Sequence, residues 1–202
     1  RTLNAVLDMG YDHLDTAALY GFGKNEELLN KAIGHRRSEY FLASKCGLYR
    51  DSTGKREING RPEVLTKTCE DSLRRLGTDC IDLYYLHRID LNVPVEDSIG
   101  ALMNMRDQGK IRFIGLSEPS PETLEKALNL CQIAAVQSEL SLWTRSPNDT
   151  VADICSRKGI AFVSYSPLGR GFFGGKVRDT AVLTEKDIRH TMPRFQADNF
   201  AS

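Results

Sequence analysis

Four ionisable residues of complementary type, Asp15, Tyr20, Lys45 and His87, stand where they could share one reaction. A phenol ionises near pH ~10, too high for easy proton donation and return at neutral pH. An ammonium beside it stabilises the phenolate, and a carboxylate beside the ammonium fixes its position. On that logic Tyr20 donates a proton to a carbonyl oxygen, Lys45 tunes Tyr20, Asp15 holds Lys45, and His87 orients the same oxygen by a hydrogen bond. Such a site couples general acid catalysis to oxyanion-type stabilisation and lacks only a hydride donor. Each residue alone has an ordinary explanation: Asp15-Thr16 as a helix cap, Lys45 as a solvated charge, His87 as a satisfied structural histidine, Tyr20-Gly21 as a turn. What favours chemistry is convergence, because these groups sit at or just past the ends of successive strand-like runs.

The positioning elements are legible as a recurring unit. Pro62 opens a helical run closed by Gly77, Pro94 one closed by Gly109, and Ser146-Pro147 one closed by Gly159; each is followed by a short β-rich run. Pro is pre-organised for the first helical position and Gly for the left-handed residue past the last. Ser120-Pro121 starts a further helix through Leu130. Strands are expected at 11–15, 40–44, 81–87, 111–116, 133–137 and 160–166, alternating with helices. Residues alone leave a doubly wound open sheet and part of a barrel both open, and both place ligands at the carboxyl ends of the strands. The expectation is an α/β chain forming a single domain over 1–202, with 170–202 an irregular excursion after the last strand.

Composition sets limits. The 202 residues carry 27 basic and 27 acidic side chains, so net charge offers no support for a nucleic-acid or membrane-surface partner. The odd count of five cysteines, with no C-x-x-C pair, reads as reduced thiols in a cytoplasmic protein rather than a disulfide or zinc framework. No apolar run approaches the roughly 18 residues of a membrane span.

Leu14-Asp15-Thr16-Ala17-Ala18-Leu19-Tyr20-Gly21 with Asn25-Glu26 resembles the aldo-keto reductase signature D-T-A-x-x-Y-G followed by N-E. Agreement continues in register through Ser44-Lys45, Leu86-His87-Arg88, Gly109 to Arg112, Gly115-Leu116-Ser117, Gln137 to Trp143 and Tyr165 to Gly171. The resemblance implies a (β/α)8 TIM barrel, of which six of eight strands lie in this chain, and an NADP(H)-dependent reduction of aldehydes and ketones. It makes Asp15, Tyr20, Lys45 and His87 a catalytic tetrad. Ser117 and Gln137 would hold the nicotinamide carboxamide, Tyr165 would stack on the ring, and the run Ser166-Pro167-Leu168-Gly169-Arg170 would follow the pyrophosphate. Glu118 stands at a cofactor-facing position where many members have Asn, which weakens one bond to the amide. The implied partner is a small carbonyl compound, with Trp143 either a pocket wall or core; specific substrate and oligomeric state are not readable. Two alternatives accompany this reading: a cofactor-sensing regulatory subunit like those of potassium channels, and a fragment without activity.

Other signals are discounted. Gly169 to Gly174 matches G-x-G-x-x-G without a helix opening there, and Gly21 to Lys24 lacks the spacing of a phosphate loop. Arg145 is expected to be a solvated loop charge, His13 a structural residue, and His35 and His190 surface residues. The first and eighth barrel strands, with the grip on the adenosine 2′-phosphate, are expected to lie outside these 202 residues, in a protein of roughly 300 or more. Strands 11–15 and 160–166 would then be bare edges with exposed apolar inner faces.

Overall fold

The computed structural model describes residues 1–50, 55–175, 177, 183–184, 187–196 and 199. Six parallel strands form one curled sheet: β1 (His13–Asp15), β2 (Phe41–Cys46), β5 (Ile81–Leu86), β6 (Ile111–Ser117), β7 (Ala135–Glu139) and β8 (Ala161–Tyr165), in that spatial order. Helices connect them: α1 (Thr2–Asp8) before β1, α2 (Lys24–Ile33), α3 (Pro62–Leu76), α4 (Val95–Asp107), α5 (Pro121–Leu128) and α6 (Val151–Lys158). This is six strands of the barrel's eight, with β1 and β8 the sheet's edges among the described residues. A two-stranded antiparallel hairpin, β3 (Leu48–Arg50) and β4 (Arg56–Ile58), rises from the end of β2 and is absent from the expected strands. Its polar β4 run, Arg56-Glu57-Ile58, carries too little hydrophobic alternation to signal a strand.

Strand alternation divides the sheet into two faces. Leu42, Cys46, Tyr84, Leu86, Ile114, Leu116 and Val136 point toward the helices and, with Ile81 and Ile111 at the starts of their strands, build the main core. Ala43, Leu83, Tyr85 and Ala135 point inward and form a smaller buried cluster. Gly115 belongs to that inner face because a Cβ there would meet the Tyr85 ring at 2.5 Å. Near the other end of the inner face His13 stacks on Phe41 (5.2 Å) and Phe41 on Phe113 (6.2 Å). Phe113, on the inner face of the interior strand β6, is 49% exposed.

The helix signals hold with shifted bounds. Pro62 and Pro121 occupy first-turn positions, Ser120 Oγ accepts from Thr123 N at 3.1 Å, and Gly77 closes α3 in the left-handed conformation, φ 63°. The run begun by Ser146-Pro147 splits into a 3-10 turn (Ser146–Asp149) and α6, broken at Thr150. The fifth barrel strand is Ala135–Glu139 rather than 133–137: its polar end, Gln137-Ser138-Glu139, stays in the sheet because it pairs with Val163, Ser164 and Tyr165 of β8. Beyond β8 the described residues include short 3-10 turns (Gly169–Gly174, Ile188–Thr191, Pro193–Phe195). The remaining positions of the expected 170–202 excursion lie outside the described residues.

Candidate active site

Inward-facing positions at the carboxyl ends of the strands bring the expected residues together. Asp15 ends β1, Lys45 lies in β2, His87 follows β5, Ser117 ends β6, and Gln137 lies in β7. Lys45 is completely buried; its ammonium donates to the Asp15 carboxylate and to the Thr16 carbonyl at 2.8 Å. A buried ammonium persists only with such partners. Gln137 Nε2 donates to the other Asp15 oxygen, Oδ2, at 2.9 Å, tying β7 to β1.

Tyr20 enters from the loop after β1. The chain there makes a 3-10 turn (Tyr20–Gly23) with left-handed backbone at Phe22, φ 56°, and Thr16 Oγ1 donates to Asn25 Oδ1 at 2.7 Å across the loop. This places the Tyr20 ring centroid 5.0 Å from the Lys45 ammonium and 6.0 Å from the His87 ring, edge to face. Tyr20 is 41% exposed. A second phenol, Tyr85, lies 5.9 Å from the same ammonium, but it is fully buried and burial raises its ionisation above the ordinary range. Its hydroxyl has no hydrogen-bond partner among the described residues. Of the two phenols beside Lys45, only Tyr20 can reach a molecule arriving from solvent.

Burial, then the charges of Lys45, Arg88 and Arg56, push His87 down to about 3. The imidazole is therefore neutral at physiological pH, and its buried Nδ1 has no partner among the described residues. Arg56 belongs to the β3–β4 hairpin, which thus bears electrostatically on the site.

Behind this arrangement lies a buried support. Glu26, fully buried, accepts from Ser44 Oγ and Arg75 Nε, both at 2.7 Å, joining α2 to the strand carrying Lys45 and to α3. The sequence marks Glu26 only as part of a motif; its partners are 18 and 49 residues away and leave no local trace.

The flanking positions differ from one another. Ser117 is buried and its hydroxyl accepts from Arg88 Nη1 at 3.0 Å, a partner that no sequence signal indicates. Glu118 adopts a left-handed backbone (φ 53°), and its Oε1 accepts from Glu139 N at 2.8 Å, which clasps β6 to β7. Burial and the adjacent Glu118 carboxylate push the Tyr165 hydroxyl up to about 12. Ser166, Pro167, Leu168, Gly169 and Arg170 form a tight turn with positive φ at Ser166, Gly169 and Arg170. Only a kinked 3-10 turn, not an α-helix, opens there, which agrees with discounting the glycine pattern. This turn abuts Trp143, since a Cβ on Gly169 would lie 3.3 Å from its ring. Trp143, 36% exposed, stacks on Phe172 at 4.1 Å and lies under the Arg194 guanidinium at 5.4 Å. It lies at the surface, packed among Phe172, Phe173 and Phe195. Arg145, His35 and His190 are exposed as expected, and so is His13, despite its stacking on Phe41.

Among the described residues no cluster of His, Cys, Asp or Glu could hold a metal ion, and no helix is long and apolar enough to cross a membrane. All five cysteines are free thiols, with Cys69 pushed by burial up to about 12.

Fold and site together define a partial parallel β/α barrel with a cluster of ionisable side chains at the strand ends. The family follows from comparison: residues 1–199 match the model of the aldo/keto reductase family, to which the chain belongs. It is 43% identical over 191 residues to a probable aldo-keto reductase 1 of Glycine max, covering 94% of this chain and 55% of that one. Among solved structures it resembles a glycerol dehydrogenase from Gluconobacter oxydans (TM-score 0.90, 32% identity, 99% of this chain, 62% of that chain). It also resembles the holo form of an aldo-keto reductase from Bacillus halodurans (TM-score 0.76, 33% identity, 83% and 56%). The chain thus spans little more than half the length of the curated relative.

Proposed function

We propose that this chain carries the proton-transfer half of an NADP(H)-dependent reduction of small aldehydes or ketones to alcohols. The observation that carries this reading is the fully buried Lys45 ammonium, held by Asp15 and placed 5.0 Å from the centroid of an accessible phenol ring, Tyr20. A lysine kept dry at a strand end, paired and facing a tyrosine, has no structural role that an apolar side chain would not fill better.

Tyr20 Oη gives its proton to the carbonyl oxygen of the substrate. Lys45 stabilises the phenolate left behind, and Asp15, itself steadied by Gln137, keeps the ammonium in place. His87, neutral, orients the carbonyl oxygen by a hydrogen bond and does not compete as the acid. The exposure of Tyr20 lets it recover its proton from water after the alcohol leaves. A bound nicotinamide supplies the hydride that completes the reduction.

The residues present fit such a cofactor. Ser117 accepts from Arg88 and so keeps its own O–H to donate, while Gln137 donates to Asp15 and keeps Oε1 to accept. One donor and one acceptor at adjacent strand ends match the two ends of a carboxamide. Tyr165 would lie against the ring, Ser166 to Arg170 would follow the phosphates, and Trp143 would wall the substrate pocket. With neutral composition and free thiols, a cytoplasmic setting suits this chemistry.

The test is NADPH oxidation with a reactive aldehyde such as 4-nitrobenzaldehyde. Tyr20→Phe should reduce turnover by about 10²–10⁴-fold while NADPH binding stays within twofold. Turnover unchanged in that variant would remove Tyr20 from the mechanism.

A further inference from the structure

Ser117 is a hydroxyl that could act as donor or acceptor, and its surroundings decide which. Arg88 Nη1 donates to Ser117 Oγ at 3.0 Å and to its own neighbour, the His87 carbonyl, at 2.6 Å. The second contact pins the guanidinium to the end of β5, so the first is aimed by the backbone. A hydroxyl whose lone pair is engaged by a cation is polarised and becomes the better donor through its own hydrogen. The residue next to it cannot share that role, because the Glu118 carboxylate has no proton to give and its Oε1 is taken by Glu139 N at 2.8 Å. On the far side Gln137 Nε2 gives one of its two N–H donors to Asp15, which fixes the amide with Oε1 free to accept.

We propose that Arg88 is a positioning residue of the cofactor clamp: by bonding Ser117 Oγ it commits that hydroxyl to donate to the carbonyl oxygen of the nicotinamide amide. This rests on the NADP(H) reading above. Arg88 thereby supplies, through Ser117, the donor strength that Glu118 cannot.

The experiment titrates the purified protein with NADPH and with its thionicotinamide analogue, in which sulfur, a weaker acceptor, replaces the amide oxygen. Quenching of the single tryptophan, Trp143, reports binding. Arg88→Leu should weaken NADPH binding about tenfold, the scale of one hydrogen bond to a charged group, yet weaken the thionicotinamide analogue by less than about threefold. Arg88→Lys, which keeps a cationic donor, should restore most of the NADPH affinity, and Arg88→Gln should fall between. A general structural role for Arg88 would penalise both cofactors alike, and that result, or no penalty on either, overturns the proposal. Should the leucine variant fail to fold, the lysine and glutamine variants decide by the same comparison. Failure of the unaltered protein to bind NADPH would instead overturn the proposed function, and this inference with it.

Discussion

Two buried carboxylate clusters occupy opposite ends of the same sheet, and they are built in opposite ways. Toward the amino ends of the strands, Asp82 is nearly inaccessible and saturated: it accepts from Arg37 at 2.6 Å, from Leu42 N at 2.8 Å and pairs with Arg112 at 2.9 Å. There the acid is buried and the bases reach solvent. Toward the carboxyl ends the base is buried, the Lys45 side chain at 0% exposure, and its acid, Asp15, is 28% exposed. Around it valences stay open, namely His87 Nδ1, Gln137 Oε1 and the accessible phenol of Tyr20. A carboxylate with both oxygens engaged, as in Asp82, is the arrangement of a structural acid, although Arg37 Nε beside it has no partner among the described residues. Polar atoms left open beside an accessible phenol are the arrangement a ligand could complete.

The contrast can be broken most directly at Lys45. Lys45→Met should lower carbonyl reduction by about 10²-fold or more, yet shift the melting temperature little, since the methionine fills the buried space and the Asp15 carboxylate left behind is 28% exposed and can be solvated. Steady-state turnover and a thermal melt on one sample check both halves; a large loss of stability with activity retained would reverse the contrast. At the other end, Asp82→Ala should cost about 3 kcal/mol, because two arginines and a backbone N–H lose their acceptor. Turnover of the folded protein should stay within about twofold. A denaturant midpoint that does not move would show that this cluster is not the structural one.

A graded effect is expected from pH. His87 is neutral when folded down to about pH 3, against 6.5 for the unfolded value, so between these limits the unfolded chain binds the extra proton. Stability therefore rises with pH across that window and is lost as pH falls through it, by up to about 1.4 kcal/mol per pH unit. Unfolding midpoints measured at pH 4, 5, 6 and 7 should trace that slope, and His87→Asn should flatten it. An unchanged slope in the variant would mean that His87 is not held neutral. Gly115→Ala is the mildest: the new methyl meets the Tyr85 ring and should cost about 1–3 kcal/mol, read from the same midpoints.

Much of this is legible in the residues themselves. Proline-opened, glycine-closed helices alternating with β-rich runs announce parallel β/α units, and the residues ending those runs announce the candidate site. What escapes has identifiable physical causes. The β3–β4 hairpin carries too few apolar residues to show a period, yet it brings Arg56 to bear on His87. β7 lies two residues beyond the expected strand because its polar end is held by pairing with β8, which hydrophobicity does not report. Arg88 reads as one more charge after a strand; only the approach of β6 turns it toward Ser117.

The chain's own order of residues was enough to determine the alternation of strands and helices and the chemical cast, because secondary-structure signals and residue types are local properties; open sheet or barrel it left undecided. Which members of that cast can act was decided by tertiary structure. Two tyrosines lie within 6 Å of the Lys45 ammonium, and burial alone separates the usable Tyr20 from the sealed Tyr85. Burial and converging cations likewise make His87 neutral, and a bond across 122 residues of sequence ties Gln137 to Asp15. Charge state, accessibility and donor direction depend on neighbours distant along the chain, so they come into being only when the sheet closes around them.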